Sequence, residues 1–175
     1  MRNADRYSGL STINHWVTAV LVLAMLLLGF MAAAAPNDDV EHYVMGIHVG
    51  LGFFVFLFVL WRTAVRLVEG FPPAEGDSAA QRFLAGVVPR LILLAIVVLV
   101  FTGPLYIYTD GGAVDVFGWF EVAVPLESLS AIHEPMETIH VITGLYILPV
   151  LLGLHFLGAI KHFLTRGRQE TPADL

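Results

Sequence analysis

Long apolar stretches separated by short polar connections dominate the chain. A membrane-spanning helix needs roughly 20 consecutive, mostly apolar residues. Four stretches meet that requirement, at about residues 13–35, 43–67, 85–108 and 135–163. The pattern therefore predicts an all-α protein, an integral membrane bundle of four helices.

The three connections between these stretches differ in composition. Residues 35–39 form a short polar turn, and residues 70–78 begin with the helix breakers Gly and Pro. The third connection, residues 109–134, carries the apolar run 116–120. We expect this loop to lie on the outer side and its apolar run to follow the membrane surface, as interfacial segments do.

Composition supports the same class. Hydrophobic residues make up 57% of the 175 residues and charged residues only 14%, so one bundle can account for the whole chain, and we expect a single domain over residues 1–175. The chain has no cysteine. This excludes iron–sulfur clusters, disulfides and haem attached through a C-x-x-C-H sequence. No nucleic-acid partner is expected.

The first 35 residues also imitate a secretory signal, because Arg2 and Arg6 precede an apolar stretch that ends in four alanines. The stretch is longer than an ordinary signal core, and Pro36 directly after the last alanine would disfavour cleavage. We therefore expect an uncleaved first span.

The cations predict the orientation of the bundle. All nine lie before the first stretch, around the second connection or after the fourth stretch: Arg2, Arg6, Arg62, Arg66, Arg82, Arg90, Lys161, Arg166 and Arg168. Residues 34–42 and 109–134 contain no Lys or Arg but eight carboxylates. The positive-inside rule then places both termini in the cytoplasm of a bacterial inner membrane, with an acidic outer face that favours cationic partners.

Histidines are the candidate chemical groups of the apolar stretches. His133, His140, His155 and His162 fall on one side of the fourth stretch at about 100° per residue, and His15 and His48 lie in the first two. Ionisable groups are costly inside a membrane and usually mark a functional path. Neutral imidazole is also the commonest biological metal ligand.

Depth sorts these histidines into two pairs. His15 and His155 lie toward the cytoplasmic side, and His48 and His140 toward the outer side. Each pair could supply both axial ligands of one haem iron, and the 15 residues from His140 to His155 span roughly 22 Å of helix. The alternative for any single histidine is an inter-helix hydrogen bond. We expect the remaining three, near the stretch ends, to be solvated: His42, His133 and His162.

Two further features suit a porphyrin, each with an alternative. Arg62 and Arg66 share approximately the face of His48 and could pair with haem propionates, or extend to lipid phosphate. Glycines around His48, at Gly46 and Gly50, could admit a flat macrocycle, or could allow close contact between helices.

The residues together resemble the bacterial cytochrome b561 family, the four-helix di-haem group that includes superoxide oxidase, over essentially the full length. The matching pieces are Arg6-Tyr7-Ser8, Asn14-His15-Trp16, Ile47-His48-Val49-Gly50-Leu51-Gly52, Trp61-Arg62 through Arg66-Leu67, Phe117-Gly118-Trp119-Phe120, Gly153-Leu154-His155 and Lys161-His162-Phe163.

The resemblance implies two b-type haems, non-covalent and bis-histidine, held by His15, His48, His140 and His155, with His133 as an alternative to His140. It also implies electron exchange with the quinone pool, with ubiquinone as a ligand on the cytoplasmic side. Two features depart from the family. Pro89-Arg90 stands where relatives often have a histidine, and the acidic outer face would repel superoxide, an anion.

Three function classes follow. The first is a membrane oxidoreductase or electron carrier that moves electrons between an outer-side donor, such as a cationic redox protein, and quinone. The second is the haem-bearing membrane anchor of a larger dehydrogenase or hydrogenase, whose partner is a soluble subunit. The third is a transporter or metal carrier without haem.

Overall fold

The computed structural model describes residues 9–71, 73, 74, 76 and 78–169. The helices are α1 (Gly9–Ala33), α2 (Asp38–Glu69), α3 (Ala79–Thr109), α4 (His133–Ile142) and α5 (Leu148–Gln169), and the strands are β1 (Ala113–Val116) and β2 (Phe120–Ala123). A 3₁₀ segment covers Glu127–Ile132, and a π-helical segment covers Thr143–Ile147. Arg2 and Arg6, and the side chains of Arg166 and Arg168, on which the predicted orientation partly depends, lie outside the described part of the chain.

The four predicted spans are confirmed. Among the described residues, four helices are long and apolar enough to cross a membrane: Gly9–Ala33, Asp38–Glu69, Ala79–Thr109 and Glu127–Leu164. Each starts before the apolar stretch that predicted it. The shortest, with 25 residues, extends about 38 Å at 1.5 Å per residue, longer than a hydrocarbon core of about 30 Å.

Polar caps explain why α2 and α3 begin outside the apolar stretches. The Asn37 side chain accepts a hydrogen bond from Val40 N at 3.0 Å, and the Ser78 hydroxyl accepts one from Gln81 N at 3.2 Å. Each cap satisfies a backbone N–H that has no partner within its helix. At the other end of α2, Gly70 has φ 77° and its N–H donates to Arg66 O, a backbone conformation that favours glycine.

The fourth span is not one regular helix. The π-helical segment Thr143–Ile147 ends two residues before Pro149. Proline has no N–H to donate to the carbonyl four residues earlier, and its ring clashes with that carbonyl. A wider turn at this point relieves the clash, as π-bulges inside helices do. His140 and His155 therefore lie on two helices, α4 and α5.

A β-hairpin replaces the interfacial segment expected for residues 116–120. Strands β1 and β2 pair antiparallel, with Val116 opposite Phe120. Val114 and Val116 are buried, and β1 contacts α2. The hairpin therefore covers one end of the bundle, which we call the hairpin end.

The hairpin turn carries a non-glycine residue with positive φ. Phe117 and Gly118 have φ of 56° and 72°, and Trp119 N donates to Val116 O at 3.0 Å. Type I′ turns require this pair of left-handed residues. The Phe117 ring contacts Gly50 and stacks on Phe54 with centroids 6.4 Å apart. These contacts offset the cost of the left-handed conformation at Phe117.

The apolar core lies at the middle of the bundle. Its buried residues come from all four spans: Val22, Val55, Val59, Ala95, Ile96 and Leu148. This cluster separates the hairpin end from the opposite end, where α2 connects to α3. We call that opposite end the arginine end, because Arg62, Arg66 and Arg90 lie there.

Candidate haem sites

A cavity of about 600 Å³ lies between the core and the hairpin, and we call it the hairpin-end cavity. Its volume falls within the range of small-molecule sites. His48 from α2 and His140 from α4 line it, and Val114 and Val122 of the hairpin contribute to its outer wall. Most of the other lining residues are apolar.

His48 and His140 face each other across the helix interface. Their ring centroids are 6.2 Å apart and their planes make an angle of 80°. Two imidazoles on one metal ion, each with a nitrogen at about 2.0–2.1 Å, have centroids about 6 Å apart once the ring radii are added. The spacing therefore fits a shared metal ion between the two rings.

A hydrogen bond sets the tautomer of His140. Its Nδ1 lies 3.1 Å from Thr102 Oγ1, and this hydroxyl donates its proton to Val98 O at 2.8 Å. Thr102 can then only accept, so His140 Nδ1 carries a proton and donates it. Nε2 keeps its lone pair for a metal ion. Such second partners orient metal-bound histidines.

A glycine lies beside each of these histidines, and the one beside His140 makes room for its ring. A Cβ on Gly103 of α3 would lie 2.9 Å from His140 Cε1, and one on Gly29 of α1 would lie 3.7 Å from His48 Cε1. The absent side chain at Gly103 is therefore required for the observed position of the His140 ring. Neither residue had a signal in the sequence pattern, because both belong to helices that carry no ligand at this end.

Of the two glycines that could admit a macrocycle, Gly50 has the hairpin as its neighbour. A Cβ on Gly50 would lie 3.0 Å from the Phe117 ring, so this residue accommodates the hairpin. Gly46 has nothing within 4 Å of its Cβ position. Close approach of the hairpin is the reason for glycine at position 50.

The three remaining histidines line neither cavity. His133 Nδ1 donates to Tyr106 O at 2.8 Å and lies 3.5 Å from Thr109 Oγ1, so its ring joins α4 to α3. His42 Nδ1 donates to Asp38 O at 2.8 Å in an exposed position. His162 is exposed.

Two carboxylates and no cation line the hairpin-end cavity among the described residues. They are Glu41 at the start of α2 and Glu137 one turn before His140, and both are exposed. The Tyr106 ring lies 6.4 Å from that of His140. The sequence analysis placed Glu41 on an acidic surface and assigned no role to Glu137, and it placed neither of them at a cavity.

A second cavity, of about 350 Å³, lies at the arginine end, and we call it the arginine-end cavity. His15 from α1 and His155 from α5 both line it. The structure therefore brings together each of the two histidine pairs that depth suggested. The cavity is also lined by three arginines, Arg62, Arg66 and Arg90, and by no carboxylate of the described residues.

The three arginines have different surroundings. Arg66 is 5% exposed, donates to Ser11 Oγ and to Gly70 O, and pairs with Glu69 at 3.3 Å. It therefore joins α1 to the end of α2 and does not extend to lipid phosphate. Arg62 is half-buried, and its Nη1 donates weakly to Asn14 Oδ1 at 3.5 Å.

The sequence analysis used Arg90 for the orientation of the bundle and as a departure from the family pattern, but did not place it at a site. Its guanidinium donates to Gly86 O and lies over the Phe71 ring, with Cζ 4.7 Å from the centroid. This cation–π contact joins α3 to the connection that follows α2. Arg90 thereby adds a third positive charge to the cavity wall.

The two cavities meet at Ile96. This buried side chain of the core cluster lines both of them. The separation between the two sites is therefore a thin apolar wall and not a second layer of helices.

The residues present fit two haems. His48 Nδ1 is buried without a hydrogen-bond partner among the described residues, so this nitrogen is available to a bound group. No cluster of three or more His, Cys, Asp or Glu suitable for a metal ion occurs in the described ranges. Facing imidazoles and an apolar cavity at the hairpin end, and two imidazoles with guanidinium groups at the arginine end, match the requirements of a porphyrin better than those of a bare metal ion.

Comparison with known proteins agrees with this geometry. The family model for prokaryotic cytochrome b561 matches residues 6–170. Cytochrome b561 homolog 2 of Escherichia coli (strain K12) is 26% identical over 160 residues, covering 90% of this chain and 85% of the relative. The chain therefore belongs to the prokaryotic cytochrome b561 family, whose members are membrane electron-transfer proteins that bind b-type haem.

Proposed function

We propose that this protein is a di-haem cytochrome that transfers electrons across the bacterial inner membrane, from a donor at the hairpin end to the quinone pool at the arginine end. The observation that carries the proposal is the presence of two histidine pairs, each facing its own cavity, on opposite sides of one apolar core. The positive-inside rule assigns the arginine end to the cytoplasm and the hairpin end to the outer side.

Four histidines would hold the two haems, with His48 and His140 at the hairpin end and His15 and His155 at the arginine end. When bound, the haems supply one-electron carriers within the apolar bundle. Arg62 and Arg90 are placed to pair with propionates, whereas Arg66 is largely occupied by its bonds to Ser11, Gly70 and Glu69.

The protein positions the histidine side chains and excludes oxygen, substrates and water from the two sites. When a haem is bound, the two imidazoles of each pair would hold its iron and would leave no free position for oxygen or a substrate. Thr102 keeps His140 in the tautomer that presents Nε2. Ile96 and its neighbours keep water out of the wall between the sites.

The electron balance is that of a quinone reductase. An outer-side donor loses one electron in each turnover. Two such electrons, with two protons taken from the cytoplasmic side, convert one quinone to its quinol. His133 lines neither cavity, so it would replace His140 as a ligand only after a rearrangement of α4.

The charge of the hairpin end favours a cationic donor. Residues 34–42 and 109–134 carry carboxylates and no Lys or Arg. A superoxide-collecting surface should be positive, so we rank superoxide below a basic redox protein as the donor. Lipid surrounds the exposed apolar faces of the four spans.

A reduced-minus-oxidised absorption spectrum, with haem quantified per polypeptide, tests the proposal. We expect b-type bands and two haems per chain. A colourless, correctly folded preparation would overturn it in favour of a transporter without haem. Recovery of a stoichiometric soluble subunit whose removal abolishes quinone reduction would replace it with the membrane-anchor function.

The ionic strength of the assay tests the choice of donor. In proteoliposomes that contain ubiquinone, the rate with a basic cytochrome should fall as salt rises, because salt screens attraction between exposed charges. An acidic redox protein of similar potential is the matched control and should show the opposite trend. A rate with the basic cytochrome that does not depend on salt contradicts this partner.

A further inference from the structure

The two cavities differ in the sign of the charges that line them. Glu41 and Glu137 line the hairpin-end cavity, and Arg62, Arg66 and Arg90 line the arginine-end cavity. No residue of opposite sign lines either cavity within the described part of the chain. Both cavities have the same kind of ligand pair, so the surrounding charge is the main chemical difference between them.

Charge near an iron porphyrin changes how readily the iron gives up an electron. Oxidation adds one positive charge at the metal, so nearby carboxylates stabilise the oxidised form and nearby guanidinium groups stabilise the reduced form. Each haem brings the same charge of its own. The difference in midpoint potential between the two sites is therefore set by the residues of this chain.

On these grounds, and resting on the proposed function, we infer that Glu41 and Glu137 lower the potential at the hairpin end while Arg62, Arg66 and Arg90 raise it at the arginine end. A single electron in the protein then resides mainly at the arginine end. This order favours transfer from the outer side toward the cytoplasm.

Charged residues beyond the cavity walls act in both directions. The neighbouring acidic side chains Asp38, Asp39 and Glu134 surround the hairpin end. At the arginine end, Glu69 offsets part of the charge of Arg66, with which it pairs.

Inward electron transfer also works against the membrane potential, since the cell interior is negative. A higher potential at the arginine end compensates for that opposition.

Burial acts in the opposite direction. The hairpin-end cavity is mainly apolar, and an apolar environment disfavours the charged, oxidised form. Charge and burial can be separated by replacing carboxylates with amides of the same size. Such changes remove the charge of the side chain and keep the shape of the cavity unchanged.

Equilibrium redox titration of the purified holoprotein, followed in the haem absorption bands, is the test. The double variant Glu41→Gln, Glu137→Gln should raise the lower midpoint potential and leave the upper midpoint potential nearly unchanged. The difference between the two potentials should therefore become smaller. Arg90→Gln should lower the upper midpoint instead. Glu134→Gln, a carboxylate on the same helix as Glu137 that lines neither cavity, is the control and should shift the lower midpoint less.

Assignment of each midpoint to a cavity uses a His48→Ala variant, which should retain only the higher-potential haem. Retention of the lower-potential haem, or a gap that the double carboxylate variant does not change, would overturn the inference. Both results require that the wild-type protein binds two haems, so they are distinct from failure of the proposed function, in which the wild type does not bind two haems.

Discussion

The hairpin-end and arginine-end cavities share the same arrangement of paired histidines but differ in the segments that cover them and in the charges that line them. In each, one histidine from α1 or α2 and one from α4 or α5 line a cavity against the shared core. At the hairpin end, a β-hairpin covers the site and carboxylates line it. At the arginine end, guanidinium groups and the connection after α2 surround it. The bundle thus determines where the histidines lie, and the segments at its ends determine their electrostatic environment.

The largest expected effect on one cavity alone comes from a substitution at Gly103. A Gly103→Ala substitution would place Cβ 2.9 Å from His140 Cε1 and should displace this ring. We expect loss of the hairpin-end haem, about half of the total haem, with the other site intact. Haem quantification measures it. Gly144→Ala, whose Cβ would make an ordinary 3.6 Å contact with Leu99, is the control and should keep both haems. Full haem content in Gly103→Ala would show that the His140 ring position is not required.

A milder change at the same end removes the partner of His140. Thr102→Val keeps the shape of the side chain but cannot accept a hydrogen bond from the Nδ1–H of His140. We expect the affinity for the hairpin-end haem to fall by about 10- to 100-fold, the usual effect of losing such a partner. Titration of haem into the apoprotein measures the affinity.

Thr102→Ser retains the hydroxyl and is the matched variant. It should bind haem almost as well as the wild type. Equal losses in the Val and Ser variants would assign the effect to altered helix contact and not to the hydrogen bond.

The packing of the β-hairpin against the bundle can be weakened by a substitution at Phe117. Phe117→Ala removes the contacts with Gly50 and Phe54. Because this side chain is 41% exposed, we expect a loss of unfolding free energy of about 2 kcal/mol, below the range of fully buried phenylalanines. Amide hydrogen exchange should accelerate in residues 113–123.

Trp119→Ala, in the same turn but with a side chain that is 74% exposed, should have little effect on either measurement. If the two variants behave alike, the hairpin is not held by the Phe117 contacts.

The smallest expected effect lies at the arginine end. Glu69→Gln weakens the 3.3 Å pair with Arg66, but the Glu69 side chain is 36% exposed. Partly solvated pairs contribute little, so we expect a loss of stability of less than about 1 kcal/mol. Thermal unfolding measures it. A much larger loss would mean that Arg66 depends on Glu69 more than on Ser11 and Gly70.

Hydropathy and histidine depth predicted a large part of this architecture. The four spans depend on long apolar stretches, a signal that is strong because the membrane requires it. The pairing of His48 with His140 followed from their similar depth, since helices in a bundle present residues at equal heights to one another.

Local features were harder to predict. The hairpin has four-residue strands and a turn with Phe at a left-handed position, which propensity disfavours. Its stability comes from contact with Gly50, a residue more than 60 positions earlier in the chain. The π-helical segment and the Gly103 contact likewise depend on how helices meet, which hydropathy does not encode.

The central claim is that each histidine pair holds one haem independently of the other. Haem content of two double variants tests it most directly. His48→Ala, His140→Ala alters one pair and should retain one haem per chain, whereas His48→Ala, His155→Ala alters both pairs and should retain none. Loss of both haems in the first variant, or retention of one in the second, in protein that still inserts and folds, would contradict the pairing.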